Sequence, residues 1–261
     1  MPGEVLIDEP ADGVVRLTIS NPQKRNALDH AILDGIGAAV REHGDARCLV
    51  LTGAHGMFSA GYDIGDIPSE VFSVEAERLV AHPFTAALDA LEGCDAPTVA
   101  SLTGHTIGGG LELALVCDFR VAHDGILVGM PPAKLGLVYS HTGLRRFIDA
   151  IGAPRTRELF RLGRNVDAAT ALGWGLVNRV VPESQLEETA LELASELAAN
   201  APLSVRGNKR VMRALLQAEG ALEPDVEREL IALREACFRS EDMQEGVRAF
   251  AEKRPPRWQG R

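Results

Sequence analysis

Between residues 98 and 117 an apolar strand hands over to a helix through a run of glycines. The order is Thr98-Val-Ala-Ser-Leu102, then Gly104-His-Thr-Ile-Gly-Gly-Gly-Leu-Glu112, then an apolar stretch to Cys117. This junction constrains the fold more than any other stretch. Gly108, Gly109 and Gly110 have no Cβ, so a second backbone or a ligand can approach closely. The first turn of the following helix leaves N–H groups unpaired and presents the positive end of its dipole. N–H groups converging there form an oxyanion site. A turn chosen only for tight packing is the alternative that these residues alone leave open. Nucleotide loops are excluded: Thr106 breaks a G-x-G-x-x-G pattern, and no Lys follows Gly110 as a Walker loop requires.

Glu112 lies three residues after Gly109, on the same helical face. Helical side chains lean toward the N-terminus, so its carboxylate can reach what the Gly109 amide binds. Helix capping or an ion pair is the competing use. Ser140 and His141 are neighbours on an extended stretch and point to opposite sides, and no G-x-S-x-G elbow is present, so they form no triad. No H-E-x-x-H or other metal-ligand spacing occurs, and no metal is expected.

Around this junction, strands and helices mix. Val14–Ser20 alternates as a strand, and a helix is expected from Asn26 onward with Asp29 as N-cap. Cys48–Thr52, Thr98–Leu102, Phe119–Ala122 and Leu176–Val181 read as further strands. Residues 75–91, 109–117, 142–152 and 154–163 read as helices. From Glu183 only helical stretches follow: 183–200, 202–217, 223–239 and 240–253. The expected organisation is a β/α core over residues 1–195 and a helical region over 196–261, in the α/β class.

The chain has 261 residues, enough to bury a large core without disulfide or metal support. Its 27 Lys and Arg against 37 Asp and Glu give a net charge of −10, which disfavours nucleic acid as a partner. The stretch from Arg248 to the end reverses that sign. Cys48, Cys94, Cys117 and Cys237 are scattered and read as reduced core residues in a cytoplasmic protein. The first residues lack a basic and apolar leader, and no apolar run is long enough to span a bilayer, so neither signal peptide nor membrane is expected.

Five motifs, in order, resemble the crotonase superfamily, the enoyl-CoA hydratase/isomerase family. They are Asn21-Pro22…Asn26-Ala27-Leu28, Phe58-Ser-Ala-Gly-Tyr-Asp-Ile64, Ile107-Gly-Gly-Gly-Leu-Glu-Leu113…Cys117-Asp118, Ala169…Ala171-Leu-Gly-Trp-Gly-Leu-Val177 and Ser240-Glu-Asp…Glu245-Gly…Phe250…Lys253-Arg254. The resemblance implies a spiral of ββα units with a C-terminal helical trimerisation region, as a homotrimer or a dimer of trimers. It implies that the Tyr62 and Gly109 N–H groups hold a thioester oxygen and stabilise an enolate. The substrate it implies is an acyl-CoA, with CoA along Lys24, Arg25, Ala27, Leu28, Ala60, Asp63 and Ile64. Phe250 and Lys253 of a neighbouring subunit are expected at its adenine and phosphate end. No separate cofactor is expected.

A hydratase of this family uses two glutamates. Glu112 matches one, but the second position is Pro132, which carries no acid or base. Phe58-Ser-Ala-Gly-x-Asp-Ile, Leu135-Gly-Leu-Val-Tyr139 and the tail from Ser240 to Pro255 are similar to the family's methylmalonyl-CoA decarboxylases. There a tyrosine matching Tyr139 places the substrate carboxylate. The resemblance therefore favours decarboxylation of a short malonyl-type CoA. The alternatives are hydration or isomerisation with Glu112 as the only catalytic glutamate, and a non-catalytic CoA-binding relative.

Overall fold

Strand alternation builds two cores, one on each face of a single large sheet. The structure is a computed structural model that describes residues 2–63, 78 and 80–260. Six strands lie in the order β1 (Glu4–Ala11), β2 (Val14–Ser20), β3 (Cys48–Gly53), β4 (Thr98–Leu102), β6 (Phe119–His123) and β9 (Arg179–Val181). β1 and β2 are antiparallel; from β2 onward the pairs are parallel, with Leu17 opposite Leu51 and Leu51 opposite Ala100. β5 (Thr106–Ile107), β7 (Leu127–Gly129) and β8 (Val166–Asp167) form a second, three-stranded sheet. The helices are α1 (His30–Glu42), α2 (Thr85–Gly93), α3 (Gly109–Leu115), α4 (Pro132–Leu135), α5 (His141–Leu162), α6 (Ala168–Trp174), α7 (Leu186–Ala199), α8 (Pro202–Gly220), α9 (Pro224–Phe238) and α10 (Glu241–Ala251).

Leu17, Ile19, Leu49, Leu51, Ala100 and Leu102 pack with Ile32, Leu33 and Ile36 of α1 and Leu88 and Leu91 of α2. Val14, Cys48, Val50, Val99 and Val121 point the other way, onto Leu186, Ala190, Leu193 and Ala194 of α7. Cover on both faces is why Cys48–Leu51 is apolar without alternation. Each buried leucine here contributes roughly 1.5–3 kcal/mol relative to exposure. The parallel strands run their C-terminal ends toward one rim, and the loops at 54–63 and 103–108 leave from it.

Several expectations shift. The helix expected from Asn26 starts at His30, with Asp29 Oδ1 accepting from the Ile32 N–H at 2.9 Å. Arg25 and Asn26 adopt left-handed conformations, φ 53° and 55°. The buried Asn26 side chain donates to the Ala54 and Met57 carbonyls at 2.8 and 2.7 Å and accepts from the Asn21 N–H. It clamps two loops instead of opening a helix. β1 was not anticipated, because as an edge strand with mostly exposed residues it carries no clear alternation. The helix expected at 75–91 falls partly outside the described residues. The strand expected at 176–181 shortens to β9, because the Leu176 N–H closes α6 onto the Ala171 carbonyl. The boundary expected at residue 195 falls inside α7, whose Leu193 and Ala194 belong to the sheet core.

α8 is held by its polar side. Arg206 donates to the Asp45 and Ala46 carbonyls, and Lys209 Nζ reaches the Ala96 carbonyl at 2.9 Å and Asp118 Oδ2 at 2.8 Å. Arg213 donates to the Glu92 carbonyl at 2.8 Å. Its apolar residues Leu203, Val211, Met212, Leu215 and Leu216 face outward and are exposed.

Candidate active site

The site forms where the two rim loops are stitched together. The Ile107 N–H donates to the Ser59 carbonyl at 3.0 Å, and Ser59 bridges Thr106 as a parallel pair. Gly61, at φ 96°, sits against the second loop so closely that a Cβ would lie 3.4 Å from the Gly109 nitrogen. Gly109 opens α3, and a Cβ there would lie 2.6 Å from the Tyr62 ring. The glycines therefore serve close approach of two backbones and one ring. Among the described residues, no backbone carbonyl takes the Tyr62 or Gly109 N–H. Two neighbouring donors are thus left without a backbone acceptor, which the oxyanion role expected of them needs.

Glu112, one turn into α3, is 1% exposed and is the only buried carboxylate among the described residues. Its Oε1 lies 2.9 Å from Arg146 Nη1, and its Oε2 accepts from the Tyr139 hydroxyl. Arg146, on α5, also reaches Glu92 Oε2 of α2 at 2.7 Å. The Tyr139 and Tyr62 hydroxyls are 3.2 Å apart. Since Tyr139 donates to Glu112, Tyr62 donates to Tyr139. The chain of groups is Tyr62, Tyr139, Glu112, Arg146, Glu92. Gly143 of α5 makes room for it: a Cβ there would lie 2.5 Å from the Tyr139 ring and 2.9 Å from Glu112 Oε1.

Burial raises the Glu112 carboxyl above its ordinary range, while the Arg146 charge and the Tyr139 and Arg146 hydrogen bonds oppose that rise. At Arg146 burial works against the charge, but Glu92 and Glu112 outweigh it and raise its value. Burial and the Glu112 charge push both tyrosines well up, so they remain phenols. The geometry is that of an ion-paired carboxylate oriented from both oxygens. Burial pushes the Cys48 and Cys117 thiols up to about 12, which removes them as nucleophiles.

The residues expected along CoA come together. Lys24 Nζ pairs with Asp63 Oδ2 at 2.7 Å. The Leu28 N–H donates to the Gly61 carbonyl, the Asp63 N–H to the Leu28 carbonyl and the Ala60 N–H to the Arg25 carbonyl. Residues 24–28 thus run beside 60–63, with Ala27 and Leu28 buried. Ile64 lies outside the described residues. Phe250 is exposed at the end of α10, and Lys253 follows it in a left-handed conformation. Pro132 begins α4, so no carboxylate stands at that position. Ser140 caps α5 by accepting from the Gly143 N–H, and His141 faces Glu227 at 3.4 Å. A wider groove on the α7 face, lined by Thr18, Thr52, Ser101 and Glu187 among others, shares no residue with this site.

Arg146, Glu92, Gly143 and the Tyr62 phenol were missed by sequence reasoning. They lie on other elements, and no spacing links them to Glu112. Tyr139 was expected to hold a substrate carboxylate; its hydroxyl is instead engaged by Glu112.

The β/α scaffold thus brings two backbone N–H groups without carbonyl partners beside a buried carboxylate. The family profile described as Enoyl-CoA hydratase/isomerase matches residues 9–261. The chain belongs to that family, within the crotonase superfamily of acyl-CoA enzymes. It is 34% identical over 264 residues to a carnitinyl-CoA dehydratase of Salmonella typhi, covering 95% of each chain. A methylmalonyl-CoA decarboxylase complexed with 2S-carboxypropyl CoA superposes with a TM-score of 0.90 at 27% identity, covering 98% of both chains. An enoyl-CoA hydratase from Bacillus anthracis superposes with a TM-score of 0.77 at 28% identity, covering 99% of this chain and 100% of that one.

Replacing Arg146 tests the ion pair. Arg146→Gln leaves Glu112 buried without its cation, which further disfavours the charged form. If turnover needs ionised Glu112, the rate rises with pH through its titration. The acid limb of kcat/KM for an enoyl-CoA then moves to higher pH, by about one to three units. An unmoved limb would show that Arg146 does not hold the charge of Glu112.

Proposed function

We propose that the chain is a hydro-lyase acting on the α,β bond of an acyl-CoA, adding water to an enoyl thioester or removing it from a 3-hydroxyacyl thioester. The observation that carries this is Glu112, a buried carboxylate held by Arg146 one helical turn from the Gly109 N–H. The similarity to a carnitinyl-CoA dehydratase and to an enoyl-CoA hydratase supports it.

One carboxylate suffices when both parts of the water reach the same face. Water oxygen bonds to the β-carbon as Glu112 takes its proton, and the π electrons move to the thioester oxygen. The Tyr62 and Gly109 N–H groups hold that oxyanion; losing one such donor typically costs about 3–4 kcal/mol. Glu112, now a carboxylic acid, returns the proton to the α-carbon and the enolate collapses. Arg146 and Tyr139 hold the carboxylate in place throughout. The strip formed by 24–28 and 60–63 binds CoA, with Phe250 and Lys253 supplied by a neighbouring subunit.

The assembly belongs to the same proposal. α8 exposes Leu203, Val211, Met212, Leu215 and Leu216 while its basic side faces the core. An apolar helix face of this size marks an interaction surface, and a homotrimer or dimer of trimers covers it. Multi-angle light scattering should give three or six times the chain mass. A monomer would contradict this.

Decarboxylation is the second reading. Pro132 in place of a second acid and the similarity to methylmalonyl-CoA decarboxylase favour it. Against it, the Tyr139 hydroxyl is spent on Glu112. A mass-spectrometric time course with crotonyl-CoA and methylmalonyl-CoA separates the two. The hydro-lyase reading predicts 3-hydroxybutyryl-CoA from the first, with the rate falling about 10²- to 10⁴-fold in Glu112→Gln. Propionyl-CoA from the second substrate, without hydration of the first, would replace this reading with decarboxylation.

A further inference from the structure

Arg234 sits on α9 above the two tyrosines. It lines a cleft with Tyr62, Leu137, Tyr139 and Phe238, and among the described residues no carboxylate lines that cleft. Its Nε is buried with no hydrogen-bond partner. None of its nitrogens makes a hydrogen bond or ion pair with a described residue, whereas Arg146 of the same site holds two carboxylates within 2.9 Å. A half-buried guanidinium with apolar and phenolic neighbours is costly unless an anion completes it. Arg is also the side chain best shaped to grip a carboxylate with two parallel hydrogen bonds.

The cleft adjoins the reacting centre. Tyr62 supplies an oxyanion N–H, its ring covers Gly109, and the same side chain lines the cleft under Arg234. The Arg234 charge also acts on the Tyr62 hydroxyl.

We infer that Arg234 selects an acyl-CoA whose acyl chain carries a second, terminal carboxylate: the CoA monothioester of a short dicarboxylic acid. This rests on the acyl-CoA reading of the site and names its substrate class. The guanidinium repels a cationic terminus such as the trimethylammonium of a carnitinyl chain. It also holds a carboxylate in its ionised form, which suits a group that stays on the product.

Binding tests this without relying on turnover. Isothermal titration compares glutaryl-CoA, valeryl-CoA and 4-(trimethylammonio)butanoyl-CoA, which end in an anion, a methyl group and a cation. Wild-type protein should bind glutaryl-CoA about 10- to 100-fold more tightly than valeryl-CoA, the range expected for a charged hydrogen bond, and the cationic analogue most weakly. In Arg234→Met the glutaryl-to-valeryl ratio should fall to within about threefold, and Arg234→Lys should restore part of it. Each ratio is internal to one variant, so a general loss of stability leaves it readable. Equal binding of glutaryl-CoA and valeryl-CoA by the wild type, or an unchanged ratio in Arg234→Met, would overturn the inference. Hydration of trans-2-pentenoyl-CoA is followed separately. Because that substrate lacks the terminal carboxylate, trans-glutaconyl-CoA is followed beside it; hydration of neither, alongside a glutaryl preference, would count against the hydro-lyase reading and uphold the role of Arg234.

Discussion

Burial pushes the Glu112 carboxyl up, and Arg146, 2.9 Å away, is the charge that most opposes that rise. That contact sets much of the surrounding structure. Arg146 must come from α5 and reach across to α3, so the two helices pack at a fixed separation. Gly143 has no Cβ because Glu112 and Tyr139 fill the space. Glu92 on α2 takes the remaining face of the guanidinium, tying a third helix to the pair. Removing one member of such a pair typically costs about 3–5 kcal/mol, so the same contact that readies the carboxylate also holds the helices together.

The oxyanion site we propose depends on backbone placement instead of charge. Parallel strands β3 and β4 bring their C-terminal ends to one rim, and the loops leaving them are joined through Ser59 and Ile107. Gly61 and Gly109 permit the final approach. A side chain at Gly109 would meet the Tyr62 ring, so the position that donates the N–H is also the one that seats Tyr62. This joint sets two N–H groups, carried on loops of the sheet, beside one carboxylate fixed by helices.

How much of this was legible in the sequence depended on whether the signal was local. The strands at 14–20 and 48–53 and the helical tail were readable from periodicity, because each buries a repeating face. Gly109 and Glu112 were readable as a pair, since one helical turn joins them. β1 was not, because an edge strand need not alternate. Arg146 and Glu92 were not, because they meet Glu112 only through tertiary packing. Tyr139 was singled out from the resemblance as the residue that places a substrate carboxylate; its hydrogen bond to Glu112 was not readable, because the two meet only through the fold. The missing partner at Pro132 weighed toward decarboxylation. The ion-paired Glu112 and the dehydratase and hydratase relatives weigh toward water addition.

Polarisation of a thioester carbonyl by the Tyr62 and Gly109 N–H groups can be read directly. Isotope-edited infrared difference spectra of bound [1-¹³C]butyryl-CoA report the strength of hydrogen bonding to that oxygen. The carbonyl band should be displaced to lower wavenumber on binding, with the displacement lost in Gly109→Pro, which lacks the donor N–H. A bound thioester whose band stays at its solution position would contradict it.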